Sequence, residues 1–115
     1  MSLVGKRQEF ADALSTVAGV KAHPYRPGEP RAGDAWPQWS GGTLDDASGQ
    51  MMNGWSVVVM LPQDERAADE WVDARAQLIG DALERAQVAY VEGFAPANLS
   101  PNGTVYGLLI TTRSE

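Results

Sequence analysis

Residues with side chains suited to catalysis or metal binding are few and scattered in this chain. His23 is the only histidine, and it precedes a proline with no second ligand or nucleophile at a useful spacing. Asp45 and Asp46 are adjacent, but a calcium loop needs more oxygen ligands at alternating positions, and residues 47–49 do not supply them. We therefore expect a structural or surface histidine, a solvated turn at the aspartates, no catalytic set, no metal and no cofactor.

Two short glycine-containing segments do not fit a phosphate-binding loop. Ser40-Gly41-Gly42 and Asn102-Gly103 lack the longer glycine-rich pattern and the adjacent helix that a phosphate cradle requires. Both are predicted to be turns. The absence of cysteine also excludes disulfides and thiolate metal sites.

The composition indicates an ordinary globular domain. The 115 residues fit a single domain, 1–115, with 43% hydrophobic and 21% charged residues. A net charge of -6 argues against a protein that holds nucleic acid, because phosphate binding needs lysine and arginine. With no apolar run of membrane-span length and no signal-peptide block, we expect a cytoplasmic origin and no membrane contact.

The elements that must position these residues follow from periodicity and turn signals. Helical spacing predicts a first helix that starts at a Ser2 cap and ends at Gly19, and a second, acidic helix that starts at an Asp64 cap. Apolar residues at helical spacing, Leu78 among them, are predicted to face the sheet. Extended segments are predicted at residues 20–25, 35–40, 54–61, 88–94 and 105–112. The prediction is an α+β fold with a mixed or antiparallel sheet, in the order helix, three strands, helix, two strands.

The segment 41–54 loses the apolar pattern and is rich in glycine, aspartate and asparagine, so it is predicted to be the most mobile loop. Met51 and Met52 lie inside it. Paired methionines are adaptable contact residues, and two interpretations stay open. They contact a partner, or they fold back to cap the core.

The four tryptophans divide into two pairs. Trp55 and Trp71 lie on the apolar faces of a strand and a helix, which predicts core packing. Trp36 and Trp39 flank Pro37 on a predicted edge strand, since proline cannot donate to a central ladder. This second pair either anchors an interface or forms a flap that seals the core.

Charge is unevenly distributed along the chain. The first third is mildly basic and includes Arg26 and Arg31, which belong to the proline-rich loop 24–34. The acids gather on the second helix, chiefly Asp69, Glu70 and Asp73. A solvated helix face explains most of that gathering.

The segment Gly33-Asp34-Ala35-Trp36-Pro37-Gln38-Trp39 is followed by the Trp55 strand, the acidic helix and a closing hairpin. A step Ala18-Gly19-Val20 ends the first helix. In this order, and over almost the whole chain, these features resemble the tail terminator proteins of long-tailed phages that infect actinobacteria.

The resemblance implies an α+β subunit that assembles as a hexameric ring on the growing tail tube, stops its polymerisation and presents a surface for the head. The implied partners are further copies of the chain, the tail tube protein and the head-tail connector proteins, in a virion made in the host cytoplasm. We expect interface contacts from Trp36, Trp39, Met51, Met52, Arg26 and Arg31. Asp69, Glu70 and Asp73 are expected on a channel or rim that repels DNA phosphates, so that the genome passes without specific binding.

Other classes of function stay open. Neck components such as connector and joining proteins have similar sizes. A small-ligand or peptide-binding domain would need a pocket, for which Tyr90, Tyr106, Glu92 and Arg75 are the candidates. An enzyme is the least supported class, because no acid–base pair or nucleophile can be placed.

Overall fold

In the computed structural model, which describes residues 2–44 and 48–115, two helices pack on one face of a five-stranded sheet. The described elements are α1 (Leu3–Leu14), β1 (Lys21–Ala22), β2 (Asp34–Leu44), β3 (Met51–Met60), α2 (Glu65–Arg85), β4 (Tyr90–Asn98) and β5 (Tyr106–Ser114). The predicted α+β class and the predicted order of elements are confirmed. No helix within these residues has the length and apolar character needed to span a membrane.

Local signals fix the start of both helices. The Ser2 hydroxyl accepts a hydrogen bond from the Gly5 amide at 3.0 Å, and the Asp64 carboxylate accepts one from the Ala67 amide at 3.0 Å. Each cap satisfies a backbone donor that the first helical turn leaves free. Gly19 has the predicted left-handed backbone, with φ +86°, but α1 ends earlier than predicted, at Leu14, and turns occupy residues 15–19.

The strand order across the sheet is β1-β2-β3-β5-β4. β1 pairs with β2 in parallel, and the other neighbours are antiparallel. Because β5 inserts between β3 and β4, β4 forms one edge, and the two-residue β1 forms the other. Most of β2 therefore has no strand on its outer side, and there the Pro37 carbonyl accepts a hydrogen bond from the Arg7 guanidinium at 3.0 Å. An amide hydrogen at residue 37 would point to the same outer side of β2 as the Pro37 carbonyl. No strand pairs with β2 there, so the proline removes no hydrogen bond between strands.

The core lies between the helices and one face of the sheet. Phe10 of α1 packs on Trp55 with ring centroids 5.4 Å apart, and Trp71 belongs to the same cluster, which confirms the predicted core role of both tryptophans. The other large members are Leu14, Val57, Val59, Ile79, Leu83 and Ile110. Leu78 was expected to face inward but is exposed, because it lies about 100° around α2 from the buried Ile79.

The prediction of an irregular loop at residues 41–54 is wrong for most of that segment. Gly41 pairs with Gly54, and Leu44 pairs with Met51, in a continuation of the β2–β3 ladder. β5 pairs with β3 as far as Asn53, so residues 43, 44, 51 and 52 of the hairpin project beyond β5. We call residues 41–44 and 51–54 the arm. Its strands lack apolar alternation because no second layer covers them, and Asp45 and Asp46 lie outside the described residues.

Candidate functional site

The only histidine is part of a structural clamp around Asp34. His23 Nε2 lies 3.1 Å from one carboxylate oxygen of Asp34, and the Arg31 amide donates to the other at 2.7 Å. The clamp ties together the two ends of the loop between β1 and β2. Residues 2–44 and 48–115 contain no group of three or more acids or histidines positioned to hold a metal ion.

Asp34 has a depressed pKa for identifiable reasons. Its burial alone would raise the pKa, but hydrogen bonds from Arg31 and His23, together with the charges of His23 and Lys21, outweigh burial and hold the pKa below its ordinary value. A carboxylate with a depressed folded-state pKa stabilises the fold above its unfolded pKa. That contribution is lost as the pH falls through the folded-state pKa.

Replacing Asp34 with alanine should lower the free energy of unfolding at neutral pH by about 1–3 kcal/mol, because the partners of the carboxylate lose their acceptor. Asp34→Asn is the matched comparison, since it removes the charge and keeps one acceptor oxygen, while its NH2 group replaces the other. Urea unfolding across pH should show the stability difference between wild type and Asp34→Asn shrinking in acid, where the wild-type carboxyl is also neutral. A difference of the same size at about pH 2 would contradict this role of the charge.

The two tryptophans near Pro37 lie on opposite faces of β2. Trp36 is only 5% exposed, so the expectation that it is an exposed anchor is wrong. It pairs with Val58, which pairs with Leu109, in a row across the helix-free face, and the Arg26 guanidinium lies 5.9 Å from its ring centroid. Trp39 is 40% exposed at the base of the arm, where its indole N–H donates to Asn53 Oδ1 at 3.0 Å.

The arm carries apolar side chains that no core covers. Leu44 is 70% exposed and Met51 is 42% exposed, while Met52 is half-buried. Met51 therefore does not fold back onto the core, which was one of the two interpretations of the methionine pair. By register, Trp39, Leu44 and Met51 lie on one face of the hairpin and form an apolar surface at one end of the sheet, whereas Met52 lies on the other face.

A groove of about 420 Å³ separates α2 from the strands β4 and β5. Its apolar lining consists of Leu61, Ala68, Val72, Phe94, Ala95, Pro96, Ala97, Tyr106 and Leu108, with Gly107 beside them. Glu65, Asp69 and Asp73 line its α2 side, one helical turn apart from each other. The groove is thus apolar with one acidic wall.

The three acids predicted on a channel or rim do not share one environment. Asp69 and Asp73 line the groove, whereas Glu70 accepts a hydrogen bond from Arg66 Nε at 3.0 Å on the exposed surface of α2. The groove itself was not predicted from the sequence. It exists because β4 is an edge strand, and that position depends on the long-range insertion of β5.

The four residues considered for a small-ligand pocket are not brought together. Arg75 donates to the Ala18 carbonyl at 3.0 Å and lies over the Trp71 ring, so it joins α2 to the turn that follows α1. Tyr106 lines the groove, Tyr90 lines a different cleft, and Glu92 lies at the irregularity in β4. No single site uses all four.

The cleft at Tyr90 has a volume of about 510 Å³ and lies where α1, α2 and β5 meet. Its charged lining is balanced, with Lys6 and Arg113 against Glu84 and Glu115. Lys6 lies 3.9 Å from Glu9 on its own helix. Balanced charge gives this cleft no preference for one class of charged ligand.

Comparison of the chain with models of known protein families finds no match, and comparison with curated protein sequences finds none either.

Proposed function

We propose that this chain is the subunit of a ring that caps a phage tail tube, ends its polymerisation and forms the surface to which the head joins. The main support for the proposal is the arm and its exposed apolar side chains. A two-stranded hairpin on its own is marginally stable in water, and this one exposes Leu44 and Met51 beyond the sheet. Contact with a partner would bury these side chains and stabilise the arm, as expected for an assembly subunit.

Three residues with chemically useful side chains have structural partners, which also supports an assembly role. His23 contacts Asp34, Arg7 donates to the Pro37 carbonyl, and Arg75 donates to the Ala18 carbonyl. In these positions the side chains hold segments of the domain together. Their arrangement favours a structural protein over an enzyme.

The net charge of -6 is consistent with a ring around the path of the genome. An acidic channel repels phosphates, so DNA passes through it without being held. Exposed acids on α2 contribute to this charge. The proposed location is the virion neck, between the tail tube protein and the head-tail connector proteins.

The proposal is tested by assembling tubes from purified tail tube protein with increasing amounts of this chain. We expect mean tube length to fall as the ratio of this chain to tube protein rises, because each capped end stops growing. Alone, the acidic chain should remain monomeric or weakly associated at low salt. Tubes of unchanged length with bare ends would contradict the proposal, and rings bound to connector proteins only would favour a different neck component.

A further inference from the structure

The groove and the proline-rich loop lie at opposite edges of the sheet and have opposite charge. We propose that the groove between α2 and β4 of one subunit receives the loop 23–33 of the next subunit. This inference rests on the proposed ring and names the contact that joins its subunits. The occupant of the groove is thus a second copy of this chain.

The strand order makes this contact intermolecular. The loop connects β1 to β2 at one edge, and the groove adjoins β4 at the other edge, four strand spacings away. At about 4.8 Å per spacing the two features are about 19 Å apart, so a loop does not reach the groove of its own chain. A contact between two different surfaces of identical subunits is heterologous, and it generates a ring when the rotation between subunits closes.

The loop has the composition of a stiff, basic ligand. Pro24, Pro27 and Pro30 restrict its backbone, so docking costs little conformational entropy. Arg26 and Arg31 are exposed, with Glu29 as the acid of residues 23–33. The Asp34 clamp fixes both ends of the loop before docking occurs.

Tyr25 provides the aromatic contact of the loop. It is 54% exposed, and its other side is supported by the Arg7 guanidinium, 4.7 Å from the ring centroid. An exposed aromatic ring with a fixed position is a common centre of binding energy in protein interfaces. The apolar lining of the groove offers a surface that this ring can bury.

The groove complements the loop in both apolar surface and charge. The apolar side chains of Val72, Phe94 and Leu108 are bordered by acids on α2, which suits a loop whose apolar residues alternate with arginines. Gly80 admits the Phe94 ring, since a β-carbon at that position would lie 3.1 Å from it. The charges of Asp69 and Asp73 would then face Arg26 and Arg31 of the neighbouring subunit.

The chain contains no cysteine, so disulfide cross-linking can test this contact without background. Gly28→Cys places a thiol in the loop, where an added β-carbon meets nothing within 4 Å, and Ala97→Cys places one in the groove. Oxidation of tubes capped by the double variant should give a ladder of covalent oligomers up to the size of the ring. The control pairs Gly28→Cys with Glu70→Cys, on the exposed surface of α2 outside the groove, and should give no ladder.

A charge exchange provides an independent test. Reversing the wall with Asp69→Lys and Asp73→Lys should reduce capping at least about tenfold, and adding Arg26→Glu and Arg31→Glu to the same chain should restore it. Glu70→Lys is the control and should cap normally. Circular dichroism melts verify that every variant folds.

The outcomes separate this contact from the proposed function. Rings without a ladder and without rescue would overturn the loop–groove contact and leave the capping function intact. A covalent adduct between the groove cysteine and the tube protein would also overturn it. Absence of rings in the wild type would overturn both.

Discussion

Replacing Trp36 with alanine should lower the free energy of unfolding by about 3–5 kcal/mol, the usual cost of removing a buried tryptophan. The same change at Trp39 should cost about 1–3 kcal/mol, chiefly because the buried Asn53 loses its hydrogen-bond donor. The two substitutions compare a buried tryptophan with a half-exposed one on the same strand. Urea unfolding followed by circular dichroism measures both effects.

The two variants should rank in the opposite order when capping is compared between folded samples. Trp39→Ala should reduce tube capping, because an aromatic anchor in an interface contributes about 2 kcal/mol or more to binding. Trp39→Phe is the control, since it retains most of the ring and removes the indole N–H. Normal capping by folded Trp39→Ala would exclude Trp39 from the interface and leave it with a structural role at the base of the arm.

A variant with Leu44→Ser and Met51→Ser should remain as stable as the wild type, within about 0.5 kcal/mol, yet cap tubes poorly. Both side chains are exposed in the free subunit, so the substitutions create no cavity. Their apolar surface is what a partner would bury. Val4→Ser, at another exposed apolar position outside the arm, is the control and should cap normally.

Hydrogen exchange gives a second measure of the arm. Amides of residues 43, 44, 51 and 52, the part of the arm beyond β5, should exchange quickly in the free subunit and slowly in assembled tails, because a two-stranded ladder is marginally stable until a partner covers it. Equal protection in both states would show that the arm belongs to the stable fold of the single domain. In that case its proposed role in assembly would have to be withdrawn.

Local signals in the sequence predicted much of the fold. Ser2 and Asp64 cap helices through bonds to residues three positions away, and Gly19 has the left-handed conformation that its position suggested. Trp55 and Trp71 lie in the core because they fall on apolar stripes at strand and helix spacing. These features depend on neighbouring residues, which is why a single sequence suffices to predict them.

Features that depend on distant pairing were not predicted. Trp36 is buried because β2, β3 and β5 align it with Val58 and Leu109, and no pattern near Trp36 indicates that row. The groove likewise depends on β5 lying between β3 and β4. The arm was interpreted as a loop because paired strands without a covering layer need no apolar alternation.

Electron microscopy of tail tubes assembled with this chain is the most direct test that it forms a terminal ring. We expect ring density at one end of each tube, with subunits matching the fold of two helices on a five-stranded sheet and their arms in contact with a neighbour or the tube. Native mass spectrometry of the released caps should give a single mass that is a multiple of the 12.3 kDa mass of this chain. Tails whose ends carry no ring containing this chain would contradict the proposed function.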